Sequence, residues 1–157
     1  MPIVQINFFM SIYSYWETNS VLGKYSNIQS WDNRFCSEIY FLEKIMEPGF
    51  SVLDVGCALG GLYHVLKERY GELGYCGLDI AKNLIEEARK LAPNTEFVLG
   101  NILEKGIVES GRKFDIVTAT GVFQHEPKSK ELLSVMLDHT KDGGYVLFDI
   151  KLFHTHE

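Results

Sequence analysis

The chain has 157 residues, 46% of them apolar, with a formal net charge of −6. That is the size of one layered domain, and the negative charge disfavours a broad phosphate-binding surface and so a polynucleotide partner. No apolar stretch is long enough to cross a bilayer. The apolar start, MPIVQINFFMSIYSYW, lacks the basic region and small-residue cleavage site of a signal peptide, so neither a leader nor a membrane partner is expected.

Residues 1 to about 34 are rich in aromatics: Phe8, Phe9, Tyr13, Tyr15, Trp16, Tyr25 and Trp31. No period of two or 3.6 persists there, and Asn19, Gly23 and Asn27 suggest turns between short helical pieces. From Phe35 to Met46 the period becomes helical, with Phe35, Ile39, Leu42, Ile45 and Met46 on one face. Pro48-Gly49 ends that helix. Residues 1–48 are therefore expected to form a helical, aromatic cap on an α/β domain over 49–157.

Alternating units follow. A strand over 51–55 leads to a helix from about Gly60 to Tyr70, with Leu62, Val65, Leu66 and Tyr70 inward. A strand over 74–79 leads to a helix from Lys82 to Leu91, with Leu84, Ile85, Ala88 and Leu91 inward and Pro93 as its stop. Next come a strand over 95–99, a short helical piece around Ile102–Glu109 and a strand over 114–119. A helix from Ser129 to Thr140 should bury Leu132, Leu133, Met136 and Leu137. Asp142-Gly143-Gly144 reads as its cap, and a strand over 145–150 closes the series. Strands alternating with helices of this length imply parallel pairing through right-handed crossovers: a three-layer α/β/α sandwich on about five strands.

Cys36, Cys57 and Cys76 fit neither a zinc site nor a redox pair. They read as small buried hydrophobes in a reducing, cytoplasmic setting, with a reactive Cys57 as the alternative. His154 and His156 lack a third ligand at suitable spacing, so no metal is expected.

The informative stretch is SVLDVGCALGG, residues 51–61. An apolar run breaks into Gly56, Gly60 and Gly61 and hands over to a helix, the arrangement that places backbone N–H groups around a ligand. Asp54 sits at the strand end. Asp79 ends the next strand about 20 residues beyond the glycines, where a ribose hydroxyl pair would be held. An acid two places before the first glycine would repel a pyrophosphate and suit an ammonium group. A glycine turn that only lets helix pack on strand is the plainer alternative.

At these residues the sequence resembles the class I S-adenosylmethionine-dependent methyltransferases, whose first motif reads D-x-G-x-G-x-G. The match is at Asp54, Gly56 and Gly60, with a departure at Ala58, where a small residue still allows close backbone approach. The resemblance covers about residues 50–150 and implies a Rossmann-like sheet of order 3-2-1-4-5. That family's sheet has seven strands, and the last two are absent here. An open apolar edge along YVLFDIKLF implies a longer natural chain or a second copy covering it as a homodimer.

The resemblance also implies roles. The segment from Asp54 to Gly60, with Gly56 and Cys57, would hold the methionine part of S-adenosyl-L-methionine through backbone amides and the Asp54 carboxylate. Asp79 would accept both ribose hydroxyls, and Ile80 would lie on the adenine face. Asn101 would meet the adenine amino group, unless it is only a turn residue, and Ile102 would cover the adenine edge. Thr120 and Gly121 would pass beneath the sulfonium. His125 would be a general base or a loop-fixing hydrogen bonder, with Gln124 and Glu126 as weaker candidates. Arg34 would pair the cofactor carboxylate, and Tyr15, Trp16 and Trp31 would pack in a lid or merely cover the core. TATGVFQHEP lacks the N/D-P-P-Y/F signature of enzymes acting on nucleic-acid bases. The expected function is methyl transfer to a small-molecule acceptor. A non-catalytic S-adenosylmethionine-binding module and a nicotinamide-dinucleotide oxidoreductase remain alternatives.

Overall fold

The computed structural model describes residue 23 and residues 30–150. The expectations for Phe8, Phe9, Tyr13, Tyr15, Trp16, Tyr25, His154 and His156 lie outside the described residues, and Gly23 is helical rather than in a turn. A 3-10 turn, Trp31–Asn33, leads into α1, Cys36–Ile45. Then come β1 (Ser51–Val55), α2 (Gly61–Tyr70), β2 (Gly74–Asp79), α3 (Lys82–Leu91) and β3 (Glu96–Leu99). β4 (Phe114–Ala119), a 3-10 turn at Phe123–His125, α4 (Ser129–Asp138) and β5 (Thr140–Phe148) complete the series. The strands form one sheet of order β3-β2-β1-β4-β5 in which every pairing is parallel, as the alternation of elements implied.

The two-residue period of β1 sorts the layers. Val52 and Asp54 face one side, Leu53 and Val55 the other. On the first side Val52, Tyr75, Phe97 and Ile116 pack against Leu42 of α1, Leu62, Val65 and Leu66 of α2, and Ile85 and Ala88 of α3. On the second, Leu53, Val55, Leu78 and Val117 meet Leu132 and Met136 of α4, with Ile102 and Val108 from the β3–β4 connection. Burying each large aliphatic side chain contributes about 1.5–3 kcal/mol. The same alternation puts Asp54, Tyr75, Asp79 and Thr118 on the first face, under α1 and α2.

Several expectations need correcting. Residues 102–109 form turns, not a helical piece: Glu104 bonds back to Asn101 and Ile107 to Glu104, and Gly106 takes a left-handed φ of 83° that ends any helical run. Asp142-Gly143-Gly144 is not a cap but a bulge inside β5, which begins at Thr140. Phe114 pairs with Thr140 and Ile116 with Tyr145, so the extra β5 residues loop out, with Gly143 at φ 76°. Leu91 and Leu137, at the last turns of α3 and α4, are exposed, as is Phe35 at the start of α1. Helical periodicity extrapolates past the point where the sheet stops supplying a partner. Cys36 is also exposed, at the first residue of α1, whereas Cys57 and Cys76 are buried as expected.

The amino ends of the strands are fastened by charge. Asp115 on β4 accepts the Ser51 amide and hydroxyl at 2.7 and 2.6 Å and pairs Lys141 of β5 at 2.8 Å. Among the described residues no helix is long and apolar enough to cross a membrane, and no His/Cys/Asp/Glu cluster is shaped for a metal ion.

Candidate functional site

β1 ends at Val55, and the chain turns sharply through Gly56 (φ 78°), Ala58 (φ 48°) and Gly60 (φ 76°). A Cβ at Gly56 would lie 2.5 Å from Val122 Cγ2, and one at Gly60 2.7 Å from the Phe97 ring. These glycines are thus required by close packing as well as by φ. The Gly56 and Cys57 amides donate to the Leu78 carbonyl, at 2.7 and 3.1 Å, and the Gly60 amide to Cys57. These N–H groups bind the loop to β2 rather than standing open to a ligand. Among the described residues no side chain caps α2, so its first-turn amides, Gly61 and Leu62 among them, stand at the cleft.

That cleft is lined by the loop, Asp54, Thr120 and, from the segment before β1, Arg34, Phe35 and Glu38. Asp54 is 6% exposed. Its carboxylate accepts the Tyr75 hydroxyl at 2.6 Å. Burial drives Asp54 up to about 6, against the Tyr75 hydrogen bond and the Arg34 charge, while Glu38 and Asp79 push the same way as burial. Arg34 donates through Nε and Nη2 to the two oxygens of Glu38, at 2.9 and 2.7 Å. Burial works against the Arg34 charge, but the bond and charge of Glu38, with Asp54 and Tyr75 beyond, together outweigh it and the guanidinium stays protonated. Glu38 is itself buried and accepts the Thr120 hydroxyl at 3.2 Å. α1 is thereby joined to the carboxyl end of β4. The (i, i+4) spacing of Arg34 and Glu38 was a readable signal for this pair; nothing in the sequence announced the contact between Tyr75 and Asp54.

Asp79, at the tip of β2, is 8% exposed. Its Oδ1 accepts the Ala81 amide and its Oδ2 the Ala58 amide, each at 2.9 Å. Burial raises its pKa and these amides oppose the rise. The Ile80 amide adds a third backbone contact, which leaves about one of the four lone pairs for a further donor. Ile80 is half-buried beside it. Asn101 closes a turn through Oδ1, accepting the Leu103 amide at 2.9 Å, which is the plainer of its two readings. Ile102 packs into the α4-side core. The Gly121 amide donates to Asp149 at 2.5 Å, linking the ends of β4 and β5. His125 lies in an exposed 3-10 turn beyond β4, and Gln124 bonds back to the Gly121 carbonyl. Cys57 lines the cleft, but burial drives its thiol well above the usual range, which leaves the nucleophilic form unpopulated. Trp31 stands against Arg69 and Tyr70 at the far end of α2, so it covers the core and does not reach the cleft.

A parallel sheet of order 3-2-1-4-5, with a glycine loop after its central strand and acids at two neighbouring strand tips, defines a Rossmann-like ligand-binding domain. Residues 46–151 match the model of a methyltransferase domain, and the chain belongs to that family. It is 34% identical over 92 residues to trans-aconitate 2-methyltransferase of Rhizobium rhizogenes, a segment that is 59% of this chain and 35% of that protein. It is 32% identical over 103 residues to the ubiquinone biosynthesis O-methyltransferase of a Shewanella species, 64% of this chain and 43% of that one. The matched segment is thus less than half the length of these relatives. Among solved structures, a Pyrococcus horikoshii protein shares the fold at a TM-score of 0.64 and 28% identity, covering 86% of this chain and 65% of its own. A SAM-dependent methyltransferase from Geobacter sulfurreducens, solved with S-adenosyl-L-homocysteine, superposes at a TM-score of 0.57 and 19% identity, over 73% of this chain and 47% of its own. At that identity the likeness is one of fold.

Proposed function

We propose that the cleft at the carboxyl ends of β1, β2 and β4 binds S-adenosyl-L-methionine and that the protein transfers its methyl group to a small-molecule acceptor. The observation that carries the reading is that one cleft holds both signs of charge: Asp54 on the floor and, on the wall, the Arg34 guanidinium bonded to Glu38. A zwitterionic amino-acid end suits such a pair, whereas a diphosphate would face buried carboxylates at both strand tips. In this reading Asp54 holds the ammonium, Arg34 the carboxylate through the guanidinium edge not engaged by Glu38, and Asp79 the ribose hydroxyls.

The cofactor supplies, when bound, a methyl group on a positively charged sulfur. The protein's own tasks are to orient it, exclude water and present the acceptor in line. Thr120 and the Gly121 backbone border the acceptor side, Ile80 and Ile102 flank the adenine position, and Asn101 offers its amide to the adenine edge. His125, one turn beyond, takes the acceptor's proton where the acceptor is a hydroxyl or amine. From the segment before β1, Arg34, Phe35 and Glu38 line the cleft and in this reading are part of the binding site. Buried Cys57 and Cys76 and exposed Cys36, all free, suit a reducing cytoplasm.

The test is calorimetric titration with S-adenosylmethionine and with NAD, followed by a methyl-transfer assay over a panel of small acceptors. Binding of S-adenosylmethionine with turnover supports the reading. Binding of NAD alone overturns it, and binding of S-adenosylmethionine with no turnover of any acceptor favours a non-catalytic module.

A further inference from the structure

We propose that Tyr75 is a positioning residue: its buried hydroxyl aims the Asp54 carboxylate at the ammonium of the bound cofactor and keeps it charged. The inference rests on the reading of the cleft given above and adds to it a residue that touches no ligand.

Tyr75 is the second residue of β2, whose register pairs it with Val52 and pairs Gly77 with Asp54. It is therefore the diagonal neighbour of Asp54 on the same face, within reach of a long aromatic side chain. The residue directly opposite Asp54 on β2 is a glycine, and the space above it is taken by Phe97 and Cys57. The ring is fixed by Tyr63 and Phe97, with centroids 5.2 and 6.0 Å away. A buried phenol must find an acceptor, and this one donates to Asp54 Oδ2 at 2.6 Å, the length of a charge-assisted bond.

The groups that face Asp54 decide what the bond does. Arg34 approaches from ahead of α1, Glu38 from α1, Asp79 from the tip of β2, Cys57 from the loop and Tyr75 from β2. Glu38 and Asp79 oppose a negative Asp54. Arg34 favours it, but both its Nε and Nη2 are committed to Glu38, whose charge offsets it. Tyr75 is the neutral donor that tips the balance, and its hydroxyl stays protonated because burial and the neighbouring carboxylate both hold its pKa well above the usual value. Phenylalanine would fill the same space. If packing were the whole role, the hydroxyl would be dispensable.

The experiment measures the affinity of the full chain for S-adenosylmethionine and for S-adenosylhomocysteine, which carries the same amino-acid end, from pH 5 to 8.5. Wild-type affinity should fall as pH drops through about 6, where Asp54 gains a proton. In Tyr75→Phe the fall should begin about one pH unit higher, so that affinity for both ligands is weakened about 2-fold at pH 7 and about 5-fold at pH 6. Replacing Tyr75 by 3-fluorotyrosine keeps the shape and strengthens the donor, so the fall should move to lower pH. A folded Tyr75→Phe with wild-type affinity and an unmoved midpoint overturns the proposal. Should that variant fail to fold, the fluorotyrosine protein carries the test, and an unmoved midpoint there overturns it. Asp54→Asn separates the two levels. Wild-type affinity in Asp54→Asn overturns the ammonium reading and this proposal with it, whereas lost affinity there beside an unaffected Tyr75→Phe overturns only the role of Tyr75.

Discussion

Asp79 reaches back from the tip of β2 and accepts the amide of Ala58 at 2.9 Å, so the second acid holds the bend that follows the first. Ala58 is a non-glycine residue at φ 48°, a conformation that costs on the order of 1 kcal/mol and persists only when its surroundings enforce it. Asp79→Ala should therefore act twice. Affinity for S-adenosylmethionine should weaken by roughly 2–3 kcal/mol through the lost ribose contacts. Stability should drop by about 1–3 kcal/mol because the Ala58 and Ala81 amides lose their acceptor. Calorimetry and urea denaturation read the two effects separately, and unchanged affinity would remove the ribose assignment.

Asp54 should show a conflict between stability and binding. Its folded-state pKa, about 6, lies above the ordinary carboxylate value of 3.8. Its contribution to stability is therefore fully present below about pH 4 and is lost as pH rises through 6. Asp54→Asn should be more stable than wild type at pH 8, by on the order of 1–3 kcal/mol, with the advantage fading toward pH 4. The same variant should bind S-adenosylmethionine weakly. Urea denaturation at pH 4, 6 and 8 checks the first statement; a pH-independent difference would contradict it.

Gly60→Ala should destabilise without any ligand present. The added carbon meets the Phe97 ring at 2.7 Å, and the residue must hold φ 76°. Overpacking and left-handed strain together suggest a loss of about 2–4 kcal/mol. A folding midpoint equal to wild type would mean that Phe97 gives way freely.

Asp115 should titrate in the opposite sense to Asp54. Burial pushes it up, but the Lys141 and Ser51 hydrogen bonds prevail and hold it at about 2. A depressed carboxylate contributes stability above its ordinary value and loses it as pH falls from about 4 toward 2. Since its side chain is partly open to solvent, Asp115→Asn should cost on the order of 1 kcal/mol at pH 7 and nothing near pH 2. Acid-denaturation curves of the two proteins should converge at the low end.

The strands, the helices, their parallel pairing and the two strand-tip acids were legible because parallel β/α units write their period directly into the chain, whereas the sheet order came from the family resemblance. Legibility failed where a residue's role depends on a distant neighbour. Leu91 and Leu137 keep a helical period but outrun the sheet beneath them, and Phe35, extended ahead of α1, borders the cleft instead. Asp142-Gly143-Gly144 has the composition of a cap, and only its pairing with β4 makes it a bulge. The motif glycines were read as opening amides to a ligand; the structure turns the Gly56 and Cys57 amides to Leu78, a partner more than 20 residues away. Glu38 drew no reading from the sequence, because its burial comes from contacts with Arg34 and Thr120 that only the fold brings together.

The Ser51–Asp115–Lys141 fastening and the Asp54 cleft occupy opposite ends of the same central strands. With about 3.3 Å of rise per residue they stand roughly 10 Å apart along β1, far enough for changes at one to add independently to changes at the other. Lineages and engineers alike can therefore harden the lower pole of this sheet, by extra charge or tighter turns, while the residues of the cleft at the upper one vary separately.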